Sequence, residues 1–278
     1  MFAPISATFE LNLDGFQQPP LAADAPPELF GSFGNGHVCE RSADDSIVCW
    51  GNNRYQQTEP PPPDYVQTGN QVTFIDVDVD GWHSCALMSD GSPLCWGFNS
   101  DGQASPPAGN FIQINAGTSQ SCAVTLEGQI QCWGDDFLGK TIVPEDQLFW
   151  EVSAGSSHSC GLTRSNHALC WGSDFYGQVS APEEETFAHI SVGSIHSCGL
   201  KATGEVQCWG NNDYGQSRAP DLLFSTIDAG GYHTCGITQA DNQMVCWGLD
   251  SKGQASPPSG RFIRVRTGFL HTCGTQSD

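Results

Sequence analysis

Residues 187–220 read FAHISVGSIHSCGLKATGEVQCWGNNDYGQSRAP, and this stretch is one copy of a repeat that runs through the chain. Its Cys-Trp-Gly motif occurs six times, with tryptophan at positions 50, 96, 133, 171, 209 and 247. A second cysteine lies upstream of each motif, at 39, 85, 122, 160, 198 and 235, and Cys273 continues that series. The upstream cysteines are 46, 37, 38, 38, 37 and 38 residues apart, so the unit has about 38 residues, with one insertion between Pro60 and Gln71.

Each unit predicts a meander of three short antiparallel strands. Ile190 and Val192 alternate with polar residues until Gly193, residues 197–200 form a second strand, and residues 206–209 return after a glycine turn. Units of about 40 residues with a Trp-Gly strand end and proline-containing connectors are typical of β-propeller blades. A β-solenoid built from the same meanders is the alternative.

The two chain ends predict how a propeller ring closes. The last unit, residues 261–275, stops before any Cys-Trp-Gly, whereas residues 7–20 resemble the missing back half of a unit. Pairing these halves leaves no exposed sheet edge. We therefore expect an all-β fold, a seven-bladed β-propeller with blades of short antiparallel strands, in which the N-terminal strand completes the C-terminal blade. It would form one domain over residues 1–278, with six full repeats at about 28–258.

The cysteine spacing predicts hairpin disulfides. Paired cysteines are ten residues apart, or eleven in the last pair, which places them opposite each other across a turn and within disulfide reach. Buried thiols and metal ligation are the alternatives, although the chain has no Cys-x-x-Cys knuckle. The predicted pairs are Cys39 with Cys49, Cys85 with Cys95, Cys122 with Cys132, Cys160 with Cys170, Cys198 with Cys208, and Cys235 with Cys246. The N-terminal half-unit lacks a cysteine, so we expect Cys273 to be a buried thiol outside the disulfides.

Histidine also recurs, two residues before the upstream cysteine. Six of the eight histidines occupy this position, and Gln120 takes it in one unit. A catalytic histidine is normally single and tied to a nucleophile or carboxylate, so we interpret the series as structural, hydrogen-bonded within each blade. Strand register places His83, His158 and His196 opposite glycines, which would leave room for the rings. The series is His37, His83, His158, His196, His233 and His271.

Two further features invite binding-site interpretations. The repeated tryptophans point to the strand face opposite the cysteines and should pack between blades, with sugar binding the less favoured alternative. Asp76, Asp78 and Asp80 resemble the start of an EF-hand loop, but Leu87 stands where the bidentate glutamate is required. We therefore predict no metal site and no cofactor, and keep a weak surface calcium site at these aspartates as an alternative.

Composition limits the partner and the compartment. The chain of 278 residues carries 10 Lys and Arg against 31 Asp and Glu, a formal charge of −21. Such a balance excludes nucleic-acid binding, which needs clustered basic residues. No apolar run is long enough to span a membrane, and no export signal is visible at the N-terminus. Disulfides would nevertheless indicate an oxidising compartment, extracellular or at the cell or virion surface.

The pattern from Gly193 to Gln216 carries a family resemblance. Gly-x-x-His-Ser-Cys-x-Leu, Gly-x-Val-x-Cys-Trp-Gly and Asn-x-x-Tyr-Gly-Gln resemble the regulator of chromosome condensation repeat family, and most closely its short bacterial branch, represented by the β-lactamase inhibitory protein II. The resemblance covers nearly the whole chain and implies a seven-bladed propeller closed end to end. Paired cysteines, Lys140 in place of a glutamine and the acidic charge depart from the family. Chromatin binding and nucleotide exchange on a small GTPase are therefore not carried over.

Strand alternation predicts one ring face for partner binding. The loop after each first strand and the loop after each Trp-Gly should emerge together, and they hold most of the non-repeating residues. In the inhibitory protein the equivalent face binds its partner, which supports the choice by analogy. Large rigid side chains among Asp and Asn suit a protein-binding hot spot. The candidates are Tyr55, Trp82, Phe98, Phe137, Phe175, Tyr176, Ile195, Tyr214, Tyr232 and Phe269.

Two functions remain open from sequence. The first is a non-catalytic extracellular module that binds an unidentified protein through this acidic, aromatic face. The second is a structural subunit of a surface layer, appendage or virion that self-associates through ring edges or through the insertion at residues 60–65. An enzyme is disfavoured, because no single-copy catalytic set or phosphate loop interrupts the repeat.

Overall fold

Short strands dominate a computed structural model that describes residues 8–10, 31–33, 36–42, 46–61 and 73–277. They form seven three-stranded antiparallel sheets, each a meander in which the second strand is central. The strands are β1 (Thr8–Glu10), β2 (Gly31–Phe33), β3 (His37–Arg41), β4 (Ile47–Gly51), β5 (Phe74–Asp80), β6 (His83–Met88), β7 (Pro93–Gly97), β8 (Phe111–Ala116), β9 (Gln120–Thr125), β10 (Ile130–Gly134), β11 (Phe149–Ala154), β12 (His158–Thr163), β13 (Ala168–Gly172), β14 (His189–Val192), β15 (His196–Leu200), β16 (Val206–Gly210), β17 (Phe224–Ala229), β18 (His233–Thr238), β19 (Met244–Gly248), β20 (Phe262–Thr267) and β21 (Thr272–Gln276).

The sheets are the blades of a propeller. Blades 1 to 6 begin at β2, β5, β8, β11, β14 and β17, and blade 7 consists of β20, β21 and β1. The first strand of each blade contacts the first strand of the next, and β20 contacts β2. These contacts return to their start around a polar central channel. The seven-bladed fold is therefore confirmed, and the solenoid alternative is wrong.

Blade 7 joins the two ends of the chain. β1 pairs antiparallel with β21, with Phe9 opposite Gly274 and Glu10 opposite Cys273. The strand that the predicted ring closure requires is therefore present, because an N-terminal segment supplies the third strand of the last blade. Most of the predicted N-terminal half-blade lies outside the described residues, as do the start of the first repeat at residue 28 and residues 62–65 of the insertion.

Apolar side chains of neighbouring blades form the core. Between blades 3 and 4, for example, Val124 and Ile130 pack with Phe149, Val152 and Trp171 in one buried cluster. The tryptophans therefore fill the space between blades, as strand alternation predicted. Phenylalanines at the start of the first strands, or two residues before it in blade 5, are buried in the same way in six blades, at positions 74, 111, 149, 187, 224 and 262.

Six disulfides close the hairpins formed by the second and third strands. They join Cys39–Cys49, Cys85–Cys95, Cys122–Cys132, Cys160–Cys170, Cys198–Cys208 and Cys235–Cys246. The partners lie directly opposite each other, with Cα atoms 4.0–4.1 Å apart, the close approach of non-hydrogen-bonded antiparallel pairs. Cys273 is a buried thiol outside these six bridges.

Candidate functional site

Two sets of loops emerge together on one face of the ring, which we call the loop face. The residue after each Trp-Gly donates its backbone N–H to the residue before the repeated histidine position. Phe98 N donates to Trp82 O over 2.9 Å, and Asn211 N donates to Ile195 O over 2.9 Å. Both predicted loop sets therefore share one face, and the tight hairpin turns occupy the opposite face, the turn face.

Side-chain hydrogen bonds fix the shape of the loops that follow Trp-Gly. In blade 5, Gln216 Oε1 accepts the N–H of Tyr214, and Asn212 Oδ1 accepts the N–H of Ser217. The same pair of contacts recurs in blade 4, where Gln178 accepts from Tyr176 and Asp174 from Val179. Short polar side chains that bond to nearby backbone stabilise such turns. The loops therefore present their aromatic residues from a fixed backbone.

Four of the ten candidate residues form the most exposed part of the loop face. Phe137 is 70% exposed, Phe175 79%, Tyr176 53% and Tyr214 54%. They lie in the equivalent loops of blades 3, 4 and 5, and we call them the aromatic arc. Exposed aspartates accompany them at 136, 174 and 213. This sector is therefore both apolar and negatively charged, the combination found in hot spots for partners with basic rims.

The other candidates pack against one another. Tyr55, Trp82 and Phe98 form one cluster across blades 1 and 2, with ring centroids 4.7–5.8 Å apart. Tyr232 lies between Tyr214 and Phe269, at 5.9 and 5.5 Å.

Trp82 is 41% exposed. The remaining candidates in these two clusters, Tyr55, Phe98, Tyr232 and Phe269, are only partly exposed, and so is Ile195. These residues stay candidates that contribute through packed clusters rather than as single projecting rings.

The loop at residues 135–140 departs from the repeat. Lys140 replaces the repeated glutamine and is buried, with Nζ 2.8 Å from Asp135 Oδ2 and 2.8 Å from Ser119 Oγ. Leu138 adopts a φ of 65°, a conformation that is costly for a branched side chain. Phe137 projects from this backbone. The backbone of this loop therefore has a local free-energy cost, and the loop exposes an apolar ring to solvent.

The repeated histidines connect neighbouring blades. His158 Nε2 lies 2.8 Å from Ser197 Oγ, which in turn donates to the carbonyl of Gln178. Trp209 Nε1 donates to the same carbonyl over 2.9 Å. The same histidine-to-hydroxyl contact joins His37 to Ser84, His83 to Ser121, His196 to Thr234 and His233 to Thr272.

Two expectations about the histidines are therefore wrong. Their partners lie in the next blade rather than in the same one, because the ring nitrogen reaches across the blade boundary. The glycine that makes room for the ring is also a different one. A methyl group on Gly193 would overlap the ring of His196, whereas Gly210, which lies opposite His196, has a φ of +95° and would meet the backbone of residues 195 and 196.

Burial keeps these histidines neutral. It lowers the pKa of His158, His196 and His233 from 6.5 to about 3, and that of His83 to about 4. Since each hydroxyl donates its single proton to a carbonyl, the histidine Nε2 must carry the proton that bridges the blades. Neutral rings bound to hydroxyls, without a carboxylate, support the structural interpretation and give no general base.

Polar side chains on the first strands line the central channel and join the blades. Asp78 accepts the N–H of Ala116 over 2.7 Å, and Asp228 accepts that of Thr267. Asn115, Ser153 and Ser191 make the equivalent bonds to Ala154, Val192 and Ala229. Sequence reasoning missed this role, although the residue opposite the upstream cysteine is polar in each of these blades.

The aspartates of the EF-hand-like stretch make structural contacts. Asp80 accepts the N–H of Gly81 and the hydroxyl of Thr118, and burial, aided by the charge of Asp228, raises its pKa to about 6. Burial also raises the pKa of Asp76. Within the described parts of the chain, no group of three or more His, Cys, Asp or Glu is placed to hold a metal ion.

Seven meander sheets around a polar channel, joined by repeated inter-blade hydrogen bonds, define a β-propeller repeat protein. Residues 75–103, 151–178, 187–216 and 224–254 match the model of the regulator of chromosome condensation (RCC1) repeat. The chain therefore carries RCC1 repeats, as its motifs predicted. The resemblance to the short bacterial branch is not tested by this match and stays a prediction.

Solved structures share the fold. The CRINKLY WD40 ectodomain of the Arabidopsis thaliana receptor kinase ACR4 is 25% identical, with a TM-score of 0.72 over 91% of this chain and 92% of that one. The ectodomain of the Physcomitrella patens receptor kinase CR4 is 26% identical, with a TM-score of 0.74 over 91% and 71%. Yeast RCC1 (Prp20) bound to Kap60 is 15% identical, with a TM-score of 0.78 over 94% and 82%, and shows the fold alone.

No curated protein sequence matches the chain. Among the described residues, no helix has the length and apolar character needed to cross a membrane.

Proposed function

We propose that the chain is a non-catalytic interaction domain that binds a partner protein through the aromatic arc of its loop face. The observation that carries this proposal is the exposure of Phe137, Phe175, Tyr176 and Tyr214 on adjacent, hydrogen-bonded loops. Rings already held on fixed loops lose little entropy on binding. Burying such side chains supplies most of the affinity of a typical interface.

The charge of the arc defines the complementary partner. From the residue after Trp-Gly to the repeated glutamine position, the six loops carry six acidic and three basic residues. In blades 3 and 4 the single basic residue, Lys140, is engaged by Asp135, and in blade 5 an exposed cation, Arg218, lies two residues beyond Gln216. Exposed Asp136 and Asp174 therefore face solvent without another cation in their loops, whereas Asp213 shares its loop with Arg218. The partner would offer apolar pockets surrounded by Lys or Arg, and its association rate would fall as salt screens the attraction.

An extracellular location accompanies this function. Six disulfides indicate an oxidising environment. The ectodomains of two plant receptor kinases share the fold at 25% and 26% identity, which supports a location outside the cell for this chain as well. A propeller stapled in this way would resist proteases outside the cell.

The test is affinity capture from the native surroundings with the disulfide-bonded protein immobilised. A Phe175→Ala/Tyr176→Ala variant should lose a partner that the parent protein retains. Trp150→Ala is the matched control, because Trp150 is 54% exposed but lies on the turn face. Retention of the same partner by the arc variant, or its loss in the control alone, would contradict the proposed site.

A further inference from the structure

The third, outer strand of blade 7 is the one outer strand that no disulfide joins to its neighbour. In the other six blades a hairpin bridge ties the outer strand to the central strand. In blade 7 the residue opposite Cys273 is Glu10, and the chain has no cysteine before Cys39. β1 can therefore leave β21 without breaking a covalent bond, whereas the outer strands of blades 1 to 6 cannot leave their neighbours.

β1 is also paired over a shorter length than the other outer strands. Among the described residues it pairs with β21 through three positions, from Thr8 opposite Thr275 to Glu10 opposite Cys273. Each of the other outer strands pairs with its central strand through five positions. Because a strand separates only when its ladder bonds break together, a shorter ladder opens more readily.

The boundary between blades 7 and 1 differs from the other boundaries in a second respect. At five boundaries a histidine reaches a Ser or Thr hydroxyl of the next blade, and between blades 3 and 4 Gln120 donates to the carbonyl of Gly155 instead. Blade 1 has Val38 at the hydroxyl position, so the histidine-to-hydroxyl bond cannot form across its boundary with blade 7. Two links that recur around the ring are therefore missing where the ring closes.

The inner strands hold blade 7 in the ring independently of β1. β20 contacts β2 of blade 1 and β17 of blade 6. On the blade 6 side, Asp228 accepts both the N–H and the hydroxyl of Thr267, and His233 contacts the hydroxyl of Thr272. Release of β1 would therefore leave the channel and the six disulfide-bonded blades in place.

We propose that β1 is a releasable latch, a strand that detaches from β21 in the folded protein while the other six blades stay closed. Its release uncovers the outer edge of β21, with unpaired backbone N–H and C=O groups. It also uncovers the thiol of Cys273, which is 3% exposed in the closed blade. Folded proteins open first at the units with the lowest local stability. The latch lies in blade 7, outside the aromatic arc of blades 3 to 5, and does not depend on the proposed partner binding.

Cys273 reports on the latch without any engineering, because every other cysteine is in a disulfide. The experiment follows its reaction with dithionitrobenzoate in the native, disulfide-bonded chain over a urea series. At low urea we expect labelling that urea barely accelerates, since release of a three-residue strand exposes little surface. A steep rise should begin only near global unfolding. Labelling that follows global unfolding at every urea concentration would overturn the proposal.

A matched pair of proline variants tests whether β1 controls this labelling. The Phe9–Gly274 pair is one residue away from the position of Cys273, where alternation of the ladder has both residues exchange backbone hydrogen bonds. Phe9→Pro removes one of these bonds and should accelerate labelling at low urea by roughly tenfold. Gln207→Pro removes the equivalent bond in β16, where the blade 5 disulfide retains the strand, and should leave low-urea labelling unchanged. Equal acceleration in both variants, or none in Phe9→Pro, would refute the latch.

Glu10→Cys is the complementary variant, and it does not depend on whether Phe9→Pro folds. It places a second thiol opposite Cys273 in the register of the six native bridges, so an intramolecular seventh disulfide should form and leave no thiol to label. Hydrogen exchange of the β21 amides should then slow by at least about tenfold, while that of the central strand β12 stays the same. A variant that remains reduced under oxidising conditions, or that forms the bridge without slowing exchange in β21, would contradict the proposal. None of these results bears on capture of a partner by the loop face.

Discussion

Lys140 Nζ lies 2.8 Å from Asp135 Oδ2, in the one described loop where a lysine takes the place of the repeated glutamine. Burial acts to raise the pKa of Asp135, but the hydrogen bond and charge of Lys140, together with hydrogen bonds from the Phe137 N–H and Ser119, outweigh it, so the pKa lies below its usual value. The ammonium group also donates to Ser119 and to the carbonyl of Ser156. It therefore binds the base of the Phe137 loop to two neighbouring loops.

Replacing this lysine should destabilise the fold. Lys140→Met leaves Asp135 and two oxygen acceptors without their donor, and we expect a loss of about 1–3 kcal/mol of unfolding free energy. Asp135→Asn in the same chain should recover part of that loss, because the unpaired charge is then gone. Chemical denaturation of the disulfide-bonded protein measures both. Lys252→Met, at an exposed lysine of the equivalent blade 6 loop, is the control, and an equal effect there would refute the role of Lys140.

The hydroxyl that accepts from His158 should be as important as the histidine itself. Ser197→Ala leaves His158 Nε2 without its acceptor inside a buried boundary, and we expect a loss of about 1–3 kcal/mol in the same denaturation experiment. Ser197→Thr should cost much less, because threonine occupies the equivalent positions 234 and 272 and makes the same bond. If alanine and threonine behaved alike, packing rather than the hydrogen bond would explain the position.

The spacing of the repeat made most of the fold predictable. A period of about 38 residues determines the number of blades, and the cysteine pairs define the register of each hairpin. The His158–Ser197 bond was not predicted, because its partners are 39 residues apart and belong to different sheets. A signal was nevertheless present, since a Ser or Thr stands between the histidine position and the cysteine at 84, 121, 159, 197, 234 and 272.

The candidate site was predictable as a face but not residue by residue. Strand direction alone places the loops after Gly97 and before His83 together. Whether a ring projects, as Phe175 does, or packs on another ring, as Tyr55 does, depends on neighbouring blades that local sequence does not describe. A β-bulge in blade 2, with Ile75 as the extra residue between Phe74 and Asp76, could not be predicted for a similar reason. Phe74-Ile75-Asp76 reads as an ordinary strand until its partner strand shows two residues opposite one.

Acid should weaken the propeller through its histidines. Burial holds the folded pKa of six histidines at about 3–4, below the 6.5 of the unfolded chain, so the unfolded state binds more protons once the pH falls below that value. Stability should therefore be full above pH 6.5 and decline as the pH falls toward 4. Groups with a raised pKa act in the opposite direction. They are Asp80, whose pKa is about 6, Asp76, Glu40 and His189, four groups against the six histidines.

Urea denaturation at several pH values between about 5 and 8 tests this linkage. His158→Gln should reduce the pH dependence of the unfolding free energy by the contribution of one histidine. The fold should be kept, since Gln120 already occupies the equivalent position in blade 3. His167→Gln is the control, because His167 lies in the hairpin turn of blade 4 outside the inter-blade contacts. Stability that did not change between pH 7 and 5 would contradict neutral, buried histidines.

Two glycines should respond to alanine for different reasons. At Gly193 the new methyl group would overlap the carbonyl of Gly230 in the next blade and the ring of His196, so the blades must separate. At Gly215 the methyl group meets nothing within 4 Å, and only a φ of +86° opposes it. We expect Gly215→Ala to cost about 1 kcal/mol and Gly193→Ala considerably more. The melting temperatures of both variants measure this difference. Equal melting temperatures would show that Gly193 does not lie as close to Gly230 and His196 as the structure places it.

Alkylation should reveal the number of disulfides, and removing one of them should lower the unfolding free energy more than removing the remaining thiol does. Alkylation of the unfolded protein without reductant should label only Cys273, whereas all thirteen cysteines should react after reduction. Replacing Cys198 and Cys208 together by alanine should lower the unfolding free energy by about 2–3 kcal/mol, since a short cross-linked loop is released in the unfolded chain. Cys273→Ala, which removes a buried thiol but no bridge, is the matched control and should cost less. Several labelled thiols before reduction would contradict the six pairs and, with them, the extracellular location.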